Sequence, residues 1–139
     1  MNGNELLLDT EVFPDYGQIE LSNRDERDIP EGTSADGPVA FTAHTVNVFT
    51  MSVDQAVHND QDVRVRIYRG TDCDGLGTMV FDDDVTFTGE PRLAVYQPLA
   101  DDDEGEEIPI ERAGPVRIQV FVNPARDAEE VNVLIRYDI

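Results

Sequence analysis

The chain of 139 residues contains no lysine, no tryptophan and one cysteine, Cys73. A single cysteine excludes an intrachain disulfide framework and an all-cysteine metal site. The remaining soft or borderline ligands are His44 and His58, and no spacing among these three residues makes a local zinc site. Cys73 lies between Asp72 and Asp74, the opposite of the electropositive setting that a nucleophilic thiolate needs. No Gly-x-Ser-x-Gly elbow and no phosphate-cradling glycine loop occurs. Thirty acidic residues always contain some pair at a hydrolase-like separation, so a carboxylate pair carries no specificity here. No apolar run reaches the roughly 20 residues needed to span a bilayer. The opening Met1-Asn-Gly-Asn-Glu has no basic segment leading into an apolar one, so neither a signal peptide nor a membrane anchor is expected. These absences point away from an enzyme.

What is abundant is negative charge. Thirty Asp and Glu face ten Arg, a formal charge of −20, and Asp exceeds Glu by eighteen to twelve. Such a field repels phosphate backbones, so direct nucleic-acid binding is disfavoured. It attracts a basic protein, or imitates the charge of DNA. It also suits a protein dissolved in concentrated salt, where self-repulsion is screened within roughly 3 Å at 1 M. Complete replacement of Lys by Arg, with Asp favoured over Glu, resembles the proteins of salt-accumulating halophilic archaea. The sequence favours that explanation, which needs no partner.

Period-2 alternation dominates the chain. In Asp62–Gly70, Val63, Val65 and Ile67 alternate with Arg64, Arg66 and Tyr68. Val116, Ile118, Val120 and Val122 alternate with Arg117, Gln119 and Phe121, and Val131, Val133, Ile135 and Tyr137 with Asn132, Leu134 and Arg136. The last two runs predict an antiparallel pair with an inward Val/Ile face. Shorter strands are expected at 5–13, 18–21, 79–87, 92–97 and 108–110. Pro38–Met51 changes apolar phase midway, which predicts a bulge or a strand crossing between sheets. Residues 51–57 continue that strand or form a short helical turn. Ser22–Gly37 and Asp101–Glu107 read as polar loops. The expectation is an all-β, antiparallel β-sandwich or jelly-roll-like fold of about eight short strands. It is a single domain overall, with N-terminal strands and a polar arm over 1–37 and the sandwich core over 38–139.

Two groups of candidate site residues follow. Asp72-Cys-Asp-Gly resembles the oxygen-ligand turns that hold calcium, with Asp72 and Asp74 as ligands, although no third acid and no distal bidentate Glu completes the set. No other cofactor is expected. Arg64, Arg66 and Arg69, with Arg117 and Arg136, offer a local basic strip for docking an acidic subunit, against the alternative of cross-strand pairing with Asp and Glu. Phe121 and Leu134 fall on the outward face, which calls for either a partner or a covering loop.

Residues 38–139 resemble small β-sandwich accessory proteins of tailed-virus and other virions. The resemblance rests on Asp54-Gln-Ala-Val, Val63-Arg-Val-Arg-Ile-Tyr-Arg-Gly, the Asp72-x-Asp-Gly turn, Gly114–Asn123 and Val131–Arg136. It implies a non-catalytic capsid or tail-associated subunit from a halophilic host, located in the virion or in the host cytoplasm before assembly. Its partners would be other protein subunits in a symmetric oligomer, with residues 1–37 as a docking arm. The chain is also similar in layout to acidic β-sandwich nuclease inhibitors of the competence protein J type, which implies loops 25–36 and 101–107 in the cleft of a basic enzyme. A calcium-dependent binding module is the third reading.

Overall fold

The computed structural model describes residues 4–27, 38–98, 100, 101 and 103–136. The alternating run that begins at Asp62 becomes strand β5 (Val63–Arg69), with Val63, Val65 and Ile67 fully buried. Val116–Val122 and Val131–Ile135 become β9 (Gly114–Asn123) and β10 (Glu130–Arg136). They pair antiparallel, with Val122 opposite Val131, Val120 opposite Val133 and Ile118 opposite Ile135. β1 (Glu5–Val12) and β6 (Thr78–Phe87) complete this sheet in the order β1-β5-β10-β9-β6. One pairing departs from the antiparallel expectation: β5 and β10 run parallel, Val65 beside Val131 and Ile67 beside Val133.

The second sheet has the order β3-β4-β2-β7-β8, built from β2 (Gln18–Asn23), β3 (Val39–Phe41), β4 (Thr45–Phe49), β7 (Arg92–Tyr96) and β8 (Glu106–Pro109). Ile19, Leu21, Val46, Val48, Leu93 and Val95 face the first sheet and close one apolar core. Each fully buried aliphatic side chain contributes about 1.5–3 kcal/mol by leaving water. The phase change in Pro38–Met51 is a turn between β3 and β4, closed by Thr42 N–H donating to the Thr45 carbonyl at 2.8 Å, rather than a bulge. A helix, α1 (Val53–Asn59), follows. Ser52 accepts from the Gln55 N–H while the Gln55 side chain accepts from the Ser52 N–H, a reciprocal capping box.

The fold is thus the expected all-β sandwich with ten strands in place of about eight. The strands expected at 5–13 and 18–21 form as β1 and β2. β1 pairs with β5, and β2 lies between β4 and β7 inside the second sheet, so residues 5–23 are part of the sandwich. The part of the arm over 28–37 lies outside the described residues, as does Tyr137.

Candidate protein-interaction site

The outer face of the first sheet carries the predicted arginine strip, and its geometry is that of internal pairing. Arg64 donates Nε and Nη2 to the two carboxylate oxygens of Asp9, both at 2.8 Å. Arg66 lies 3.8 Å from Asp9 and 3.7 Å from Glu130, and Arg69 pairs with Glu111. Arg117 grips Asp82 through two bonds of 2.7 and 2.6 Å, and Arg136 reaches Gln119 at 3.5 Å. The hydrogen bond from Arg64 holds the Asp9 carboxyl below its ordinary pKa, and that from Arg117 does the same for Asp82. Arg64, Arg66 and Arg117 thus pair with carboxylates of neighbouring strands, the alternative that the sequence also offered, while Arg69 meets Glu111 and Arg136 the Gln119 amide.

Phe121 and Leu134 also leave the set of surface residues. They are 3% and 0% exposed, gathered with Leu76 and Tyr68 under the connection between β5 and β6. Asn132 Nδ2 donates to the Leu76 carbonyl at 2.8 Å and fastens that cover. Within the same connection, Asp72 Oδ1 accepts from the Asp74 N–H at 2.9 Å, and the Asp72 N–H donates to Asn4 Oδ1 at 3.1 Å. The Asp72 carboxylate therefore shapes a turn. Among the described residues no group of three or more His, Cys, Asp or Glu side chains is placed to hold a metal ion, so no further side chain of these types joins Asp72 and Asp74.

The loop leaving β2 turns inward. Arg27 lies flat over the Tyr96 ring at 3.7 Å and donates to both oxygens of Glu20, at 2.7 and 3.1 Å, and to the Ala100 carbonyl at 2.8 Å. Ser22 adds a 2.5 Å bond to the Glu20 carboxylate. Glu20 and Tyr96 face each other across β2 and β7 on the side away from the core, and both are buried. The His44 ring bridges the Thr86 carbonyl at 2.7 Å and the Glu26 carboxylate at 2.9 Å, so it too secures this loop. Of the expected inhibitor loop 25–36, the residues 25–27 are thus held against the sandwich, and 28–36 lie outside the described residues.

Two clefts are acidic, whereas one of about 400 Å³ is lined by Arg112, Arg117 and Arg136 with Asp84. One cleft of about 420 Å³ is lined by Glu11, Asp15, Glu104 and Glu106, with Thr10 and Gln97 among its other walls. A second of about 540 Å³ is lined by Glu11, Asp60, Asp62, Glu129 and Glu130, with Arg64 at its side. Glu11 on β1 lines both, so the two acidic clefts adjoin at that strand. Glu104 and Glu106 come from the 101–107 loop that the sequence marks. Glu11, Asp60 and Glu129 come from strand ends and turns more than 48 residues apart in the chain, and no local motif joins them.

No family model matches the chain, and no curated protein matches it. A solved structure does. The fold is similar to that of ComJ from Bacillus subtilis, an inhibitor of the DNA degrading activity of NucA, with a TM-score of 0.66 over 96% of this chain and 97% of that one, at 8% sequence identity. The match corrects the first resemblance. The architecture is shared along nearly the whole chain with a nuclease inhibitor, and no similar structure supports the capsid, symmetric-oligomer or halophilic-virus expectations. At that identity the likeness is one of fold.

Proposed function

We propose that this chain is a non-catalytic inhibitor module that binds a basic protein, specifically a DNA-degrading enzyme, and covers the cationic surface that holds the nucleic acid. The observation that carries the reading is the pair of acidic clefts that share Glu11. A nuclease cleft gathers Arg and Lys to hold phosphates, and carboxylates held on rigid strand ends can take the place of those phosphates without being cleaved. A formal charge of −20 would steer the encounter and raise the association rate. The shared sandwich with a protein described as a nuclease inhibitor supports the same reading.

The test is DNA digestion by NucA, and by the DNA-degrading enzymes of the organism that makes this chain, with the purified protein added. Stoichiometric slowing of at least one enzyme is expected, with an association rate that falls steeply as salt is raised. If none is slowed at a tenfold molar excess, the inhibitor reading is wrong.

A further inference from the structure

We propose that the anchor of the docking surface is a small apolar ridge formed by Tyr16 and Val57, seated beside the acidic clefts, and that it inserts into the basic surface of the partner protein. This rests on the inhibitor reading above and gives it a location.

Tyr16 occupies the 3-10 turn Asp15–Gly17 between β1 and β2, with φ 57° and ψ 20°. That is the left-handed region, where Cβ crowds the following carbonyl oxygen and Gly or Asn is usual. The residue is also 70% exposed, the most open of the large apolar side chains among the described residues. A tyrosine here is unfavourable for the backbone and adds nothing to the core, so folding does not account for it. Backbone strain of this kind gathers where a side chain must be presented.

Val57 is 66% exposed on α1, the element that the turn abuts. Thr50 N–H donates to the Gly17 carbonyl at 2.8 Å, and a Cβ built on Gly17 would lie 3.6 Å from the Met51 carbonyl oxygen. The turn is therefore fastened to the segment that leads into α1. The other exposed large apolar residues sit elsewhere: Leu6 and Met79 on the edge strands of the first sheet, and Phe41 on an edge strand of the second, its ring 5.1 Å from Phe81.

The surroundings select the occupant. Asp15 lines the first cleft, Asp60 ends α1 and lines the second, and Asp54 lies in the first turn of α1. An aromatic and an aliphatic side chain within a charged rim is the make-up of a protein interface, where a tyrosine fills a hollow and the rim sets the partner. An acidic rim excludes nucleic acid, and a second copy would bring like charges together. A basic protein satisfies the rim, and its arginines or lysines can lie over the Tyr16 ring.

The experiment measures binding of an enzyme slowed in the digestion assay, using the whole chain and the variants Tyr16→Asn, Val57→Gln and, as a control, Leu6→Gln. Asn tolerates the left-handed turn and Gln suits a helix, so unchanged or raised unfolding midpoints are expected for the first two. Each should raise Kd tenfold or more, while Leu6→Gln stays within twofold of the parent. Amide exchange in the complex should slow at 11–17 and 53–62. Parent-like Kd values for Tyr16→Asn and Val57→Gln overturn the location and leave the inhibitor reading standing. No binding by the parent to any enzyme tested overturns both. Sedimentation as a dimer that Tyr16→Asn dissolves would make the ridge a self-contact, and overturns the choice of a basic partner.

Discussion

Arg27 and Glu20 show how one ion pair can organise a surface loop. The Glu20 carboxylate is buried on the outer side of β2, and its oxygens are met by Arg27 and Ser22. Removing the guanidinium would leave a buried carboxylate without its main partner, at a cost of about 3 kcal/mol. Arg27→Ala should therefore lower the unfolding free energy measured by urea titration by that amount. Arg27→Lys should recover little, because an ammonium supplies neither the two-pronged grip nor the flat stacking on Tyr96. A lysine variant as stable as the parent would show that charge alone holds the loop. The pair Arg117–Asp82 is more open, and exposed pairs are worth no more than about 1 kcal/mol. Its pKa direction nonetheless fixes a pH dependence. The Asp82 carboxyl is held below its ordinary value by the Arg117 hydrogen bond, so its stabilisation is present above the unfolded pKa of about 3.9 and is lost as pH falls through the lower folded value. Asp82→Asn should be slightly less stable than the parent at pH 7, with the difference vanishing on acidification below about pH 4. Urea midpoints at pH 7, 4 and 3 measure this, and a difference that widens in acid would contradict it.

Among the elements, β6 is the one whose sequence is most misleading. Asp82, Asp83 and Asp84 interrupt the apolar pattern of Met79–Phe87, yet the strand runs from Thr78 to Phe87 against β9, with one register shift between Met79 and Phe81 and none at the acids. Strand formation here is set by backbone pairing with β9, and the acids follow the pleat. Asp82 reaches Arg117, while Asp83 shares the side of Phe81, Val85 and Phe87 but remains exposed. β6 is an edge strand, and a charge on the inward side of an edge opposes pairing with another chain. Asp83→Val should leave the unfolding midpoint near that of the parent and increase self-association during storage, seen by light scattering. Equal scattering from the two proteins would remove this role from Asp83. β5, β9 and β10 were the most legible elements, because Val63, Val65 and Ile67 and their counterparts alternate without a break. Their mutual order was not legible: period-2 alternation is the same for parallel and antiparallel neighbours, so nothing local places β10 parallel to β5. The β3–β4 turn reads as a bulge or a strand crossing between sheets for a similar reason, since a phase change marks an interruption without giving its closure.

At the scale of the whole molecule, charge and fold act together. Ten arginines are spent largely on internal pairing, as at Arg64, Arg66, Arg69, Arg92 and Arg117. The acids left over set the outward field, and around Glu11 they line concave walls. Exposed charges separated by more than about 8 Å are screened at physiological ionic strength. The long-range part of the attraction to a basic enzyme should therefore respond to salt more strongly than the contacts made after docking. The association rate is expected to carry most of the salt dependence and the dissociation rate little, and stopped-flow mixing across a salt series separates the two. Equal sensitivity in both rates would argue against steering by the whole acidic surface.

By itself the sequence determined the class of the fold, the inward faces of its longest strands and the sign of the surface field. Periodicity and composition are properties of neighbours and of sums, and both survive without coordinates. The tertiary structure decided which arginines are bound by their own acids and which outward apolar residues are covered. It also decided which distant carboxylates share a cleft. Phe121 and Leu134 look alike in sequence to an interaction surface, and only the return of Leu76 over them makes them interior. Tyr16 looks like any loop residue until its left-handed backbone and open ring are seen together. Such facts depend on pairs of segments far apart in the chain, and alternation within a strand records only which side faces inward, not what lies across from it.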